Sequence, residues 1–180
     1  MNISFFGHAC FKLRSASCSL VTDPTRMPKT EADIVTISRD NPDHNDLTRF
    51  KNQPFVIKAP GEYEIKGVSV FGYPAFFIIQ MEGVKICHLA FLESSLSQEQ
   101  LDEIDGVDIL LVGINPKVAT SVKIINQIEP SIVIPMQYGE ATLQEFLKEF
   151  GQEGETVDRL VVTKASLPEE TKLFILQRKT

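Results

Sequence analysis

The chain has 180 residues, of which 43% are hydrophobic and 23% charged, and its formal net charge is −6. That length suggests one domain, residues 1–180, able to bury a sizeable core without disulfide or metal staples. The acidic balance argues against a nucleic-acid partner, which needs clustered Lys and Arg, and no run approaches the ~20 apolar residues of a membrane span. Cys10, Cys18 and Cys87 form no C-x-x-C pair and read as small core hydrophobes. A reducing, cytoplasmic setting is expected, because the opening MNISFFGHACF has neither the basic start nor the apolar stretch of a signal peptide.

Short β-rich segments come first, at 2–6, 10–14, 19–22, 33–38, 55–58, 62–65, 68–72, 76–81 and 84–90, with turn residues between them. Glu82-Gly83 reads as a hairpin turn. Ser97 followed by Gln100 is a capping box that opens a helix at 97–104. The apolar run 107–114 reads as a buried strand. Val118, Val122, Ile125 and Ile128 recur at near-helical spacing and predict a helix over 117–128. A buried strand follows at 131–136. Leu143, Phe146, Leu147 and Phe150 predict a helix over 141–150, ended by Gly151. Strands at 159–163 and 172–177 close the chain. A strand-rich half followed by strand–helix alternation indicates a layered α/β or α+β domain. Two packed sheets with helices outside suit that order, and pattern alone does not select them over a doubly wound sheet.

The chemistry concentrates in residues 35–46, VTISRDNPDHND, a buried strand breaking into a polar loop. Arg39, Asn41, Asp43 and His44 fall at alternating positions plus one, the spacing at which one loop can supply several metal ligands. Only Asp43 and His44 are good ligands. Arg39 is cationic and cannot coordinate, and the neutral amide of Asn41 suits zinc poorly. Plainer roles compete with this one. His44 reads as a turn residue bonding the loop backbone, Asp43 as a loop-shaping carboxylate, and His88 as a satisfied core histidine. His8 is a brace or part of a pocket, and Asp23-Pro24 initiates a turn. Lys12, Arg14, Arg26 and Lys29 read as a solvated edge.

Six stretches, FFGHACFKL, LVTDP, ADIVTISRDNPDHND, APGEYEIKGVSVFGYP, KICHLAFLESSLSQEQLDEIDGVDILLVGI and EPSIVIPMQYG, run in order through nearly the whole chain. Together they resemble the metallo-β-lactamase fold, specifically the small metal-dependent hydrolases of the ascorbate-lactonase (UlaG-like) group. The resemblance implies an αβ/βα sandwich of two mixed β-sheets, with helices on the outer faces and a metal site at one edge. It also implies an H-x-H-x-D-H motif whose first two histidines are here Arg39 and Asn41, while Asp43 and His44 are kept. The bridging aspartate falls on Phe91 and the last ligand histidine on Gln137. Asp23, a supporting group in the family, and His8 are retained. The resulting expectation is a relative that has lost its metal centre and carries no cofactor. It would bind a small molecule or another protein in the old cleft. The alternative is an enzyme with a weak, atypical zinc or manganese site at Asp43 and His44 that hydrolyses a lactone or phosphoester. Further expectations are a buried Phe91 beside Phe76 or Phe77, and a cluster of Asp23, Asp43, His44, Gln137 and His8. The sequence leaves a homo-oligomer open.

Overall fold

The computed structural model describes residues 1–91 and 95–180; the Leu92–Ser94 part of the resemblance motifs lies outside them. The strands in chain order are β1 (Asn2–Gly7), β2 (Cys10–Arg14), β3 (Ser19–Thr22), β4 (Ile34–Thr36), β5 (Phe55–Ile57), β6 (Gly61–Ile65), β7 (Val68–Gly72), β8 (Phe77–Met81), β9 (Val84–Leu89), β10 (Ile109–Gly113), β11 (Ile132–Met136), β12 (Glu155–Val157), β13 (Leu160–Val161) and β14 (Lys172–Leu176). Three α-helices interrupt the second half among the described residues: α1 (Gln98–Ile104), α2 (Val118–Ile128) and α3 (Glu140–Phe150). The strands form two mixed sheets, ordered β13-β1-β2-β3-β4-β5 and β12-β14-β11-β10-β9-β8-β7-β6.

Alternation explains how the sheets stack. In β1, Ile3 and Phe5 point inward while Asn2, Ser4 and Phe6 are only partly covered, the period-2 pattern of a half-buried strand. Ile3, Phe5, Phe11, Leu13 and Leu20 of the smaller sheet meet Val70, Ile79, Ile86, Leu111 and Ile134 of the larger one in a single inter-sheet core. The opposite face of the larger sheet, with Ile78, Leu89, Leu110, Val112 and Val133, is covered by Ile104, Val122, Ile125 and Phe146 of the helices. Because β10 and β11 are buried and apolar on both faces, they read as continuous hydrophobic runs.

All three helices cover the larger sheet. The outer face of the smaller one is closed by irregular segments, where Met27, Ala32 and Ile37 pack on Cys10, Val21 and Val35. The three expected helices do lie on an outer face, that of the larger sheet; the chain between β3 and β5 has no helical run long enough to form a second layer, only the single 3-10 turn Leu47–Arg49. The short strand β12 was missed because Glu155 and Thr156 are exposed and give no apolar alternation. Arg14, Arg26 and Lys29 are exposed, as a solvated edge requires, and Lys12, Arg14 and Lys29 line a shared groove with Lys51. The Lys12 ammonium donates to Thr30 Oγ1 at 2.5 Å and the Glu31 carbonyl at 2.9 Å. Among the described residues no helix is long and apolar enough to cross a membrane.

Candidate functional site

The ends of β1, β4, β9, β10, β11 and β14 converge on one side of the sandwich. There a cavity of about 720 Å³ opens between the two sheets. It gathers His8, His44, Phe91 and Gln137, which are far apart in sequence. The backbone enforces the meeting: the Gln137 N–H, just past β11, donates to the His8 carbonyl, just past β1, at 3.0 Å. His8 and Gln137 both hold left-handed backbone, with φ of 51° and 59°.

The loop after β4 is a compact turn. Asn41 Oδ1 accepts from the Asp43 N–H at 2.9 Å, and the Asn41 carbonyl accepts from the His44 N–H at 3.0 Å. Asn41 therefore shapes this loop, the role expected of Asp43. Asp43 itself is exposed and does not line the cavity, though its charge acts on His44 beside it. The turn directs His44 inward until it is 6% exposed. Its Nδ1 has no hydrogen-bond partner and lies 3.7 Å from Asp23 Oδ2, beyond hydrogen-bonding range. His44 is thus not a residue that bonds the loop backbone through its ring, contrary to expectation. Burial, with the nearby His8, pushes its imidazole below the ordinary 6.5.

Asp23 lies behind His44, fully buried, with φ of 38°. Its carboxylate accepts from the Ser38 N–H at 2.6 Å and from the Ser38 hydroxyl. Burial still raises it to about 7. His88 is buried too: its Nε2 bonds the Ala9 carbonyl at 3.0 Å, but its Nδ1 is unpartnered, so the expected satisfaction is only half met. Burial pushes His88 down to about 4. All three cysteines are buried and free, and burial lifts the Cys10 thiol to about 12, which agrees with inert core positions.

Phe91 is half-buried and forms part of the cavity wall. The expected burial is met only in part: Phe91 packs against the inter-sheet core, and the cavity beside it is open. Arg39 places its guanidinium carbon 3.8 Å from the ring centroid, and His44 meets it edge-on at 4.9 Å and 79°. Phe77 shares the inter-sheet core with Phe91, whereas Phe76 faces the helices and stacks on Tyr73. Gln137 is half-buried, and its Oε1 lies over Gly113 of β10, 2.5 Å from where a Cβ would stand. Among the described residues no three His, Cys, Asp or Glu side chains gather as a metal shell.

The sequence reading missed Asn115, Tyr138 and Arg178, which also line the cavity. Arg178 reaches it because the chain after β14 runs beside β1, where the Lys179 N–H donates to the Phe5 carbonyl at 2.8 Å. No local pattern announces that path.

The model of the β-lactamase superfamily domain matches residues 2–137. A UPF0173 metal-dependent hydrolase of Archaeoglobus fulgidus is 21% identical, over 81% of this chain and 86% of its own length. A crystal structure from Thermotoga maritima, of a candidate Zn-dependent hydrolase of the metallo-β-lactamase superfamily, is 31% identical with a TM-score of 0.86 and covers 98% of both chains. A metallo hydrolase from Ignicoccus hospitalis shares the fold, with a TM-score of 0.67 at 16% identity over 99% of this chain and 96% of that one. Two mixed sheets meeting at this edge, together with these matches, show that the chain belongs to the β-lactamase superfamily domain family, among its metallo-β-lactamase-fold, metal-dependent hydrolase members.

Proposed function

We propose that this chain, acting as one domain over residues 1–180, keeps the cleft of its hydrolase relatives for binding and has given up the metal centre. The observation that carries the reading is the side-chain set at the cleft. A cavity of about 720 Å³ persists, a volume typical of small-molecule sites. The four positions where the resemblance requires further donors carry Arg39, Asn41, Phe91 and Gln137. Zinc hydrolysis takes about three protein ligands and an open position for water. Here His44 points inward, Asp43 is exposed, Asp23 is engaged by Ser38, and Phe91 brings an apolar ring and the Arg39 cation to the edge. This donor set does not fit a catalytic divalent ion. Asn41 is spent on the turn, and a guanidinium near the site opposes a cation by several kcal/mol at ~4 Å and an effective dielectric near 20. The cleft's volume favours a small molecule over a protein as its occupant.

The second reading is a hydrolase of a lactone or phosphoester with a weak zinc or manganese site at Asp43 and His44, favoured by the unpartnered Nδ1 of His44. Elemental analysis of protein purified without chelator separates the two. The expected result is sub-stoichiometric metal and no metal-dependent turnover of a generic phosphodiester or lactone. Near-stoichiometric metal, with turnover lost in His44→Ala, overturns the proposal.

A further inference from the structure

We infer that the cleft takes a small molecule carrying an oxyanion, a carboxylate or a phosphate, on an apolar body, and that Arg178 is the residue that holds the anion. The inference rests on the reading of the cleft as a binding site and names its ligand class.

Charge is the first argument. The chain is acidic overall, yet among the described residues none that line the cavity bears a carboxylate side chain. The polar side chains lining the space are those of Arg178, His8, His44, Asn115, Gln137, Gln177 and Tyr138. His44 is more than nine-tenths buried there with an unpartnered nitrogen. That nitrogen lies toward Asp23, 3.7 Å from its Oδ2, so it is the cationic and amide groups lining the space, with no carboxylate among them, that favour an anion.

The second argument is how Arg178 is held. Its Nε donates to the Phe6 carbonyl at 3.1 Å. Its side chain crosses β1 at Gly7, where a Cβ would stand 2.8 Å from the Nε. Gly7 has φ of 101°, so a side chain is disfavoured there twice over. The next residue is pinned by the Lys179 N–H to the Phe5 carbonyl. Among the described residues the guanidinium makes no ion pair and no further hydrogen bond, which leaves its two Nη groups to serve a ligand. A fixed fork of N–H donors is the geometry that grips carboxylate and phosphate. The apolar body has its place beside it: Phe5, Phe91, Tyr138, Leu143 and Ile175 line the same space, and the Phe5 and Tyr138 rings stack at 6.5 Å.

The test is calorimetric titration of the full chain with three matched probes, 1-naphthoate, 1-naphthyl phosphate and neutral 1-naphthamide. At least one anion should bind about 10-fold or more tightly than the amide, the scale of one charge-assisted hydrogen-bonding contact. Which anion wins distinguishes carboxylate from phosphate. Arg178→Gln should remove that advantage without changing the amide's affinity, and Arg178→Lys should restore part of it. Thermal unfolding of both variants, unchanged from the parent, excludes misfolding as the cause. Equal binding of amide and anions, or an unaffected Arg178→Gln, overturns the anion site and leaves cleft binding intact. No binding by any probe overturns the anion site as well. If that protein also carries stoichiometric, turnover-supporting metal, the underlying reading falls with it.

Discussion

His8, Asp23 and Gln137 hold left-handed backbone although each carries a side chain. Such a conformation costs roughly 1–2 kcal/mol per residue. The other non-glycine residues with positive φ have ordinary duties among the described residues: Lys66 and Glu82 precede glycines in hairpin turns, and Glu129 ends α2. His8 likewise opens the two-residue turn between β1 and β2, so strain without such a duty is left at Asp23 and Gln137, strand ends around the cleft. Asp23 also makes the edge sensitive to pH. Its folded value of about 7 lies above the ordinary 3.8, so the folded state binds more protons in between. Its contribution to stability is complete below pH 4 and is lost as pH rises through about 7. His88 acts in the opposite sense: its folded value of about 4 lies below 6.5, so its contribution is present above 6.5 and is lost as pH falls through 4. Asp23→Asn retains a short polar side chain tolerant of this backbone. Urea unfolding from pH 4 to 8 should show the variant gaining on the parent as pH rises. A constant difference across that range would exclude Asp23 as the titrating group.

At the scale of elements, the cleft floor depends on how closely β9, β10 and β11 end together. These strands are parallel, with Gly113 paired to Met136 and Val112 to Leu89. A Cβ on Gly113 would stand 2.6 Å from the Ala90 carbonyl and 2.5 Å from Gln137 Oε1. The amide can swing away, but the backbone carbonyl cannot without moving the end of β9. Gly113→Ala should therefore destabilise the fold by about 1–3 kcal/mol, the usual cost of overpacking, and weaken probe binding in the cleft. An unchanged urea midpoint would show that the strand ends are freer than this geometry requires. By contrast, α1 is held locally: Ser97 and Gln100 cap it reciprocally, as their spacing alone indicated.

For the molecule as a whole, the question is how many changes separate this cleft from a metal centre. Arg39→His with Asn41→His supplies two imidazoles but leaves Phe91 and Gln137 in place. That pair of changes should not raise zinc uptake, measured by elemental analysis after dialysis. Adding Phe91→Asp and Gln137→His should raise it toward stoichiometric. Arg39→His already removes the cation from the Phe91 ring and Phe91→Asp removes the His44 edge contact, so the four-site variant should unfold at lower urea before zinc and regain stability with it. Zinc uptake by the two-site variant alone would show that Asp43 turns inward to complete a shell.

The sequence by itself determined the layered architecture, the three helices and nearly all the strands. Those features rest on local periodicity, caps and turn residues, which are written into consecutive positions. It also determined the chemistry missing from the loop, since Arg39 and Asn41 are poor ligands in any fold. The tertiary structure decided which residues face the cleft. Asp43 turns out and His44 turns in because Asn41, two and three positions before them, accepts the Asp43 N–H at its side chain and the His44 N–H at its carbonyl. Phe91 lines an open cavity, with Arg39 over its ring and His44 against its edge. Arg178 enters the site from the far end of the chain through a crossing over Gly7. Each of these depends on which strand ends meet, and contacts across so many residues leave no trace in a local pattern.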